Sequence, residues 1–168
     1  SVNSGDLVVY AETTPGTVNS NNEFIGAVQS EVVFSQEGGF INGPVSLILS
    51  GNAAGEEIRY TIGGNMPTET STLYTGGPIQ INASTSVKAQ MFSENYIPSE
   101  VYVESYIINA NHEIDVMLLT VAPEDFFDEQ TGIYVFGPED YETDFPYKGA
   151  NFWEDWERPI HFAYYEKE

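Results

Sequence analysis

Glu57-Ile58-Arg59-Tyr60-Thr61-Ile62-Gly63-Gly64-Asn65-Met66-Pro67-Thr68 is the stretch whose reading decides the fold. A six-residue run rich in β-branched and aromatic side chains runs into a turn. Gly63 and Gly64 tolerate positive φ there, and Pro67 presets the next bend. The same texture extends on both sides. Upstream stand Val32-Val33-Phe34-Ser35, the turn Glu37-Gly38-Gly39, and Gly43-Pro44-Val45-Ser46-Leu47-Ile48-Leu49, where Val45, Leu47 and Leu49 alternate. Downstream come Leu73-Tyr74, Pro78-Ile79-Gln80-Ile81, Thr85-Ser86-Val87-Lys88-Ala89-Gln90-Met91-Phe92 and Val101 to Ile108. About seven short strands at turn-limited spacing predict an immunoglobulin-like or fibronectin-like β-sandwich over residues 31–109. The chain is therefore expected to be all-β, a sandwich with flanking β segments.

Residues 1–30 carry one strand signal, Asp6 to Tyr10, followed by Thr14 to Asn22, whose Pro, Gly and Asn content reads as a linker leaving a preceding domain. After Asn109 a third segment, residues 110–168, predicts a strand at Ile114 to Thr120 and a single helical turn at Pro123 to Asp128, with Pro at its start and acids over its first amides. Strands are expected at Ile133-Tyr134-Val135-Phe136 and at Arg158 to Tyr165. In the last, Ile160, Phe162 and Tyr164 form the apolar side and His161 stands on the polar side.

The chain has 168 residues, with 26 Asp and Glu against five Lys and Arg, for a formal net charge of -21. Such a surface repels phosphate backbones and anionic lipid head groups, so neither nucleic acid nor membrane insertion is expected. Bound Ca²⁺ or screening salt would relieve the self-repulsion. Cysteine is absent, which removes disulfides and thiolate chemistry and is compatible with export. No apolar run reaches the roughly 18 residues of a membrane span. The opening Ser1-Val2-Asn3 has no basic or apolar leader pattern, which places any signal or anchor outside these residues.

Ile58 to Thr68, then Leu73-Tyr74, Pro78-Ile79, Val87-Lys88-Ala89 and Tyr96-Ile97-Pro98-Ser99, together resemble the chitobiase/β-hexosaminidase C-terminal-like domain, also described as fibronectin-III-associated. The resemblance covers about residues 31 to 109 and implies a non-catalytic sandwich. In that family the Tyr-Thr strand runs into a turn bearing acidic residues; here Gly63 and Met66 stand at those positions, which removes the carboxylates such a turn would offer a cation. In the third segment, Val116 to Thr120, Asp125-Phe126-Phe127-Asp128, Thr131 to Val135 and Trp156-Glu157-Arg158-Pro159-Ile160-His161 resemble the N-terminal edge of the CotH family of spore-coat protein kinases and their surface-protein relatives. That family's nucleotide and catalytic residues lie beyond such an edge, so no residue here inherits a catalytic role. Thr14 to Asn22 resembles the exit of a lamin-tail-like domain. This order of modules implies a long exported protein, at the surface of a bacterium or outside it.

Candidate chemistry is sparse. The glycine pairs Gly38-Gly39, Gly63-Gly64 and Gly76-Gly77 lack the helix and lysine of a phosphate-binding loop. His112 and His161 are far apart in sequence, and no Gly-x-Ser-x-Gly elbow presents a nucleophile. No catalytic residue and no obligate cofactor is expected. Hard oxygen ligands on loops suit Ca²⁺, and the candidates are Asp125, Asp128 and Glu129, then Asp140, Glu142 and Asp144 beside Glu139. Phe145, Tyr147, Trp153 and Trp156 crowd one loop-rich stretch with Phe152 and could stack on sugar rings. The leading expectation is a structural or adhesive module whose partners are neighbouring domains of the same polypeptide or, through strand exchange, copies of itself. The alternatives are a carbohydrate-binding module and an inactive N-terminal fragment of a CotH-like kinase.

Overall fold

The computed structural model describes residues 9–10, 23–110, 113–138 and 141–166. The chain is all-β, an immunoglobulin-like sandwich with a β-ribbon set against it. The expected linker Thr14 to Asn22, as well as His112, Glu139 and Asp140, lie outside the described residues.

One layer is a five-stranded sheet in the order Gly39–Ile41, Tyr102–Ile108, Thr85–Phe92, Glu57–Ile62, Thr72–Leu73. Glu57–Ile62 and Thr85–Phe92 have the bounds read from sequence. They pair antiparallel, Ile58 opposite Met91 and Tyr60 opposite Ala89. The facing layer consists of two antiparallel ladders, Val45–Leu47 with Ile79–Ile81 and Val33–Phe34 with Leu49–Ser50. The alternation of Val45, Leu47 and Leu49 drives all three side chains into the core. There they meet Ile79 and Ile81 from the same layer, and Ile58, Val87, Ala89, Met91, Tyr106 and Ile108 from the sheet opposite. Leu47, Val87, Ala89 and Met91 are wholly buried. Each large apolar side chain so placed contributes about 1.5–3 kcal/mol relative to exposure.

Short strands bring in residues that a propensity reading passes over. Gly26–Ala27 pairs in parallel with Tyr96–Ile97, and Val28 joins the core. Of the strand expected at Asp6 to Tyr10, Val9–Tyr10 is described and pairs with Glu23–Phe24, while residues 6–8 lie outside the described residues. At Gly26 the lack of a side chain matters, because a Cβ would stand 3.0 Å from the Tyr96 ring.

Thr85–Phe92 is unusual in being buried on both faces. Val87, Ala89 and Met91 face the core, while Ser86 and Lys88 on the outer face are also covered. The cover is a ribbon formed by Val116–Thr120 and His161–Tyr165, paired with Leu119 opposite Phe162 and Thr120 opposite His161. The apolar side of its last strand is not the covered side. His161, Ala163 and Tyr165 are its less exposed side, together with Val116, Leu118 and Thr120, and Ile160, Phe162 and Tyr164 face outward. Alternation shows which residues share a face, whereas what lies opposite decides which face is covered.

Between the ribbon strands, Pro123–Phe127 forms the expected helical turn. The strand expected at Ile133 to Phe136 does not form. The amides of Gly132, Ile133 and Tyr134 donate to the carbonyls of Asp128, Asp125 and Phe126, so this stretch wraps the end of the helical turn instead of offering a ladder edge. Local closure of the helix carbonyls prevails over β propensity.

Candidate functional site

Among the described residues, the acidic candidates do not converge. Asp125 forms an ion pair with Arg158 at 3.5 Å. Asp128 Oδ1 accepts from the amides of Gln130 and Thr131 and from the Thr131 hydroxyl, each at 2.9 Å. These bonds hold its carboxyl below the usual carboxylate range, with the Thr131 hydroxyl first among the causes. Glu129, Glu142 and Asp144 are exposed. Among the described residues, no group of three or more His, Asp or Glu is placed to hold a metal ion.

The aromatic candidates are partly brought together. Phe136 is the hub: its ring lies 5.2 Å from Tyr141, 5.1 Å from Tyr147 and 5.6 Å from Phe152. Phe145 stands edge-on to Tyr147 at 6.1 Å and is 85% exposed. Trp153 donates its indole N–H to the Pro146 carbonyl at 2.8 Å, next to the cis Phe145-Pro146 bond. Trp156 packs on Arg158, whose guanidinium lies 5.2 Å from the ring centre. The segment is held by a residue that sequence reading passed over, Asn151. It is buried, and its amide donates to the carbonyls of Glu129 at 3.1 Å and Gly132 at 3.0 Å. An isolated Asn among loop residues gives no sequence signal for such a role.

The most constrained polar site is the joint between sandwich and ribbon. Ser86 of the central strand lies opposite Ser105 in the sheet register. Its hydroxyl is 2.7 Å from that of Ser105 and 2.8 Å from that of Thr120 on the ribbon, and all three residues are buried. The Tyr165 hydroxyl donates to the Ser105 carbonyl at 3.1 Å, and its ring meets Phe40 edge-on at 6.2 Å. Buried hydroxyls are expensive unless paired, so this mutual satisfaction fixes the relative position of the two pieces.

Lys88, 4% exposed, lies on the same outer face and donates to the Gly64 carbonyl at 2.5 Å and to Met66 Sδ at 3.7 Å. The turn holding Gly63 to Met66 thus has a lysine ammonium against it. Burial lowers the Lys88 pKa, and Asp125 partly opposes that shift. Gly64 is also a close-approach glycine: a Cβ there would lie 1.5 Å from the Val121 carbonyl oxygen, where the chain leaves the ribbon. The His161 pKa is lowered by burial first and by Lys88 next, with Glu104 opposing. Elsewhere, an open cleft of about 570 Å³ has Phe24, Phe92 and Tyr96 on its walls. Its one cation, Arg59, is paired with Glu57 at 2.7 Å and tied to the Ser71 carbonyl at 3.0 Å.

The fold defines the class: an immunoglobulin-like module, here with a β-ribbon docked on one sheet. Residues 36–104 match the family model of the chitobiase/beta-hexosaminidase C-terminal domain. That family is non-catalytic. No curated protein and no solved structure matches the chain. The comparisons lend no support to the CotH-like or lamin-tail-like resemblance. Among the described residues, no helix is long and apolar enough to cross a membrane.

Proposed function

We propose that this chain is a structural or adhesive module of a secreted or cell-surface bacterial protein, acting as a rigid spacer without catalytic activity. The observation that carries the reading is the buried Ser86, Ser105 and Thr120 hydroxyl set, which ties the ribbon to the sandwich through buried hydrogen bonds. A spacer transmits position only if its parts keep a fixed relation. The CotH-like resemblance of the third segment, as an inactive N-terminal edge, fits the same role: the sandwich presents the start of a neighbouring domain of the same polypeptide. The acidic surface keeps such a module soluble.

Amide hydrogen exchange on the intact chain tests this. The ribbon amides should exchange only with global unfolding, together with Val87 and Ala89 of the central strand. Ribbon amides that exchange many-fold faster than the sandwich would remove the spacer reading.

A second reading, carbohydrate binding, is favoured by the exposed Phe145 ring beside the pinned Trp153. Titration with chitin and cellulose oligosaccharides should then quench tryptophan fluorescence, and Trp153→Ala should abolish the change. Ca²⁺ at the acidic loops and strand exchange between copies have their own signatures. Free Ca²⁺ at a hundredfold excess over its dissociation constant would stabilise the fold by about 2.7 kcal/mol relative to EDTA, and exchange would raise the mass measured by light scattering.

A further inference from the structure

The ribbon is apolar on both faces. Val116, Leu118, Ala163 and Tyr165 take its sandwich side. On the other side Met117 lies opposite Tyr164 and Leu119 opposite Phe162, with Ile160 in line. These five side chains are 46% to 70% exposed. A sheet face that water is meant to wet carries polar residues, whereas strands apolar on both sides belong between two layers. Here one layer is the sandwich, and among the described residues none supplies the second.

Size and charge narrow the occupant. Five paired residues at about 3.4 Å each give a face about 17 Å long, and two strands give a width of about 10 Å. Those are the length and diameter of roughly three turns of α-helix. Asp115 precedes Val116 and Glu166 follows its partner Tyr165, so both acids stand at one end of the face, near Glu113 in sequence. The Tyr164 hydroxyl donates to Asp115 Oδ2 at 2.6 Å, fixing a carboxylate at the rim. A second copy of the chain is a poor complement, since it would bring a further net charge of -21. Of the five Lys and Arg, Arg59 and Arg158 are in ion pairs and Lys88 is buried.

We infer that the outer face of the ribbon, formed by Met117, Leu119, Ile160, Phe162 and Tyr164, receives a cationic amphipathic helix of a protein partner. Its apolar stripe lies along the ribbon and its Lys or Arg residues meet Asp115 and Glu166. This assignment rests on the reading of the chain as a positioning module and names the chemistry of what is positioned.

The test uses the intact chain and three synthetic peptides of about four turns: one of Leu and Lys with Leu at i, i+3, i+4 and i+7, the same with Glu for Lys, and a Leu/Lys peptide of equal composition without the periodicity. Circular dichroism and calorimetry should show the first peptide gaining helix on binding, weakening as salt is raised. The other two should not bind. A Leu119→Thr/Phe162→Thr double variant changes only exposed positions and should keep its unfolding midpoint while weakening binding at least tenfold. Undiminished binding to that variant would mean general attraction to an acidic chain and would overturn the inference. So would the absence of induced helix, or a dimer of the chain alone that the double variant abolishes. Failure to bind while the Thr120 amide stays protected overturns the partner and leaves the spacer; loss of that protection in the unmodified chain overturns both.

Discussion

The Thr120 hydroxyl of the ribbon lies 2.8 Å from the Ser86 hydroxyl of the sandwich's central strand, and both residues are buried. The contact joins two parts of the chain 34 residues apart and is completed by Ser105 on the neighbouring strand. Thr120→Val keeps the shape and removes one bond, leaving Ser86 paired with Ser105. It should cost about 1 kcal/mol in a denaturant titration. Ser86→Ala strips a partner from both other hydroxyls and should cost about 1–3 kcal/mol.

Gly64 gives a sharper steric test. With a Cβ placed 1.5 Å from the Val121 carbonyl oxygen, Gly64→Ala must displace the backbone where the ribbon ends. The expected loss is about 1–3 kcal/mol, with faster amide exchange in the ribbon before the sandwich. Gly77→Ala is the control, because nothing lies within 4 Å of its Cβ position, and it should stay within about 0.5 kcal/mol.

The joint should loosen in acid. Burial and the Lys88 ammonium lower the His161 pKa from its usual 6.5, against the pull of Glu104. The folded state therefore favours neutral His161, and the unfolded state binds its proton at higher pH. Stability contributed by neutral His161 is present above pH 6.5, falls as pH drops from there to the folded pKa, and is flat below it. Proton NMR of the imidazole should give a pKa below the usual value. Lys88→Met, by removing the repelling charge, should raise it.

Much of the sandwich was legible because its strands alternate against a known interior. Glu57–Ile62 and Thr85–Phe92 could be read to the residue from their β-branched and aromatic content. The pairing of Gly26–Ala27 with Tyr96–Ile97 was not, since two-residue bridges through glycine carry no periodicity. The ribbon shows a different limit. Its alternation shows which residues share a face but not which face is covered, and the covered one carries Tyr165, which donates to the Ser105 carbonyl of the sandwich, while Phe162 and Tyr164 face outward. At the joint, Ser86, Ser105 and Thr120 are ordinary strand residues in sequence. Only the register places their hydroxyls together.

Asn151 should prove the anchor of the aromatic loops. Asn151→Ala leaves the carbonyls of Glu129 and Gly132 without their donor, at a cost of about 1–3 kcal/mol. The near-ultraviolet circular dichroism of the Phe136, Tyr141, Tyr147 and Phe152 cluster should weaken with it, while the sandwich signal in the far ultraviolet remains.

A distance between spin labels reads out the fixed relation of ribbon to sandwich. The chain has no cysteine, so Gln80→Cys on the sandwich and Met117→Cys on the ribbon, both exposed, give two specific labels. Pulsed electron paramagnetic resonance should show one narrow distance distribution, the same with EDTA and with Ca²⁺. A broad or multiple distribution would mean that the ribbon moves on the sandwich, and would contradict the rigid spacer.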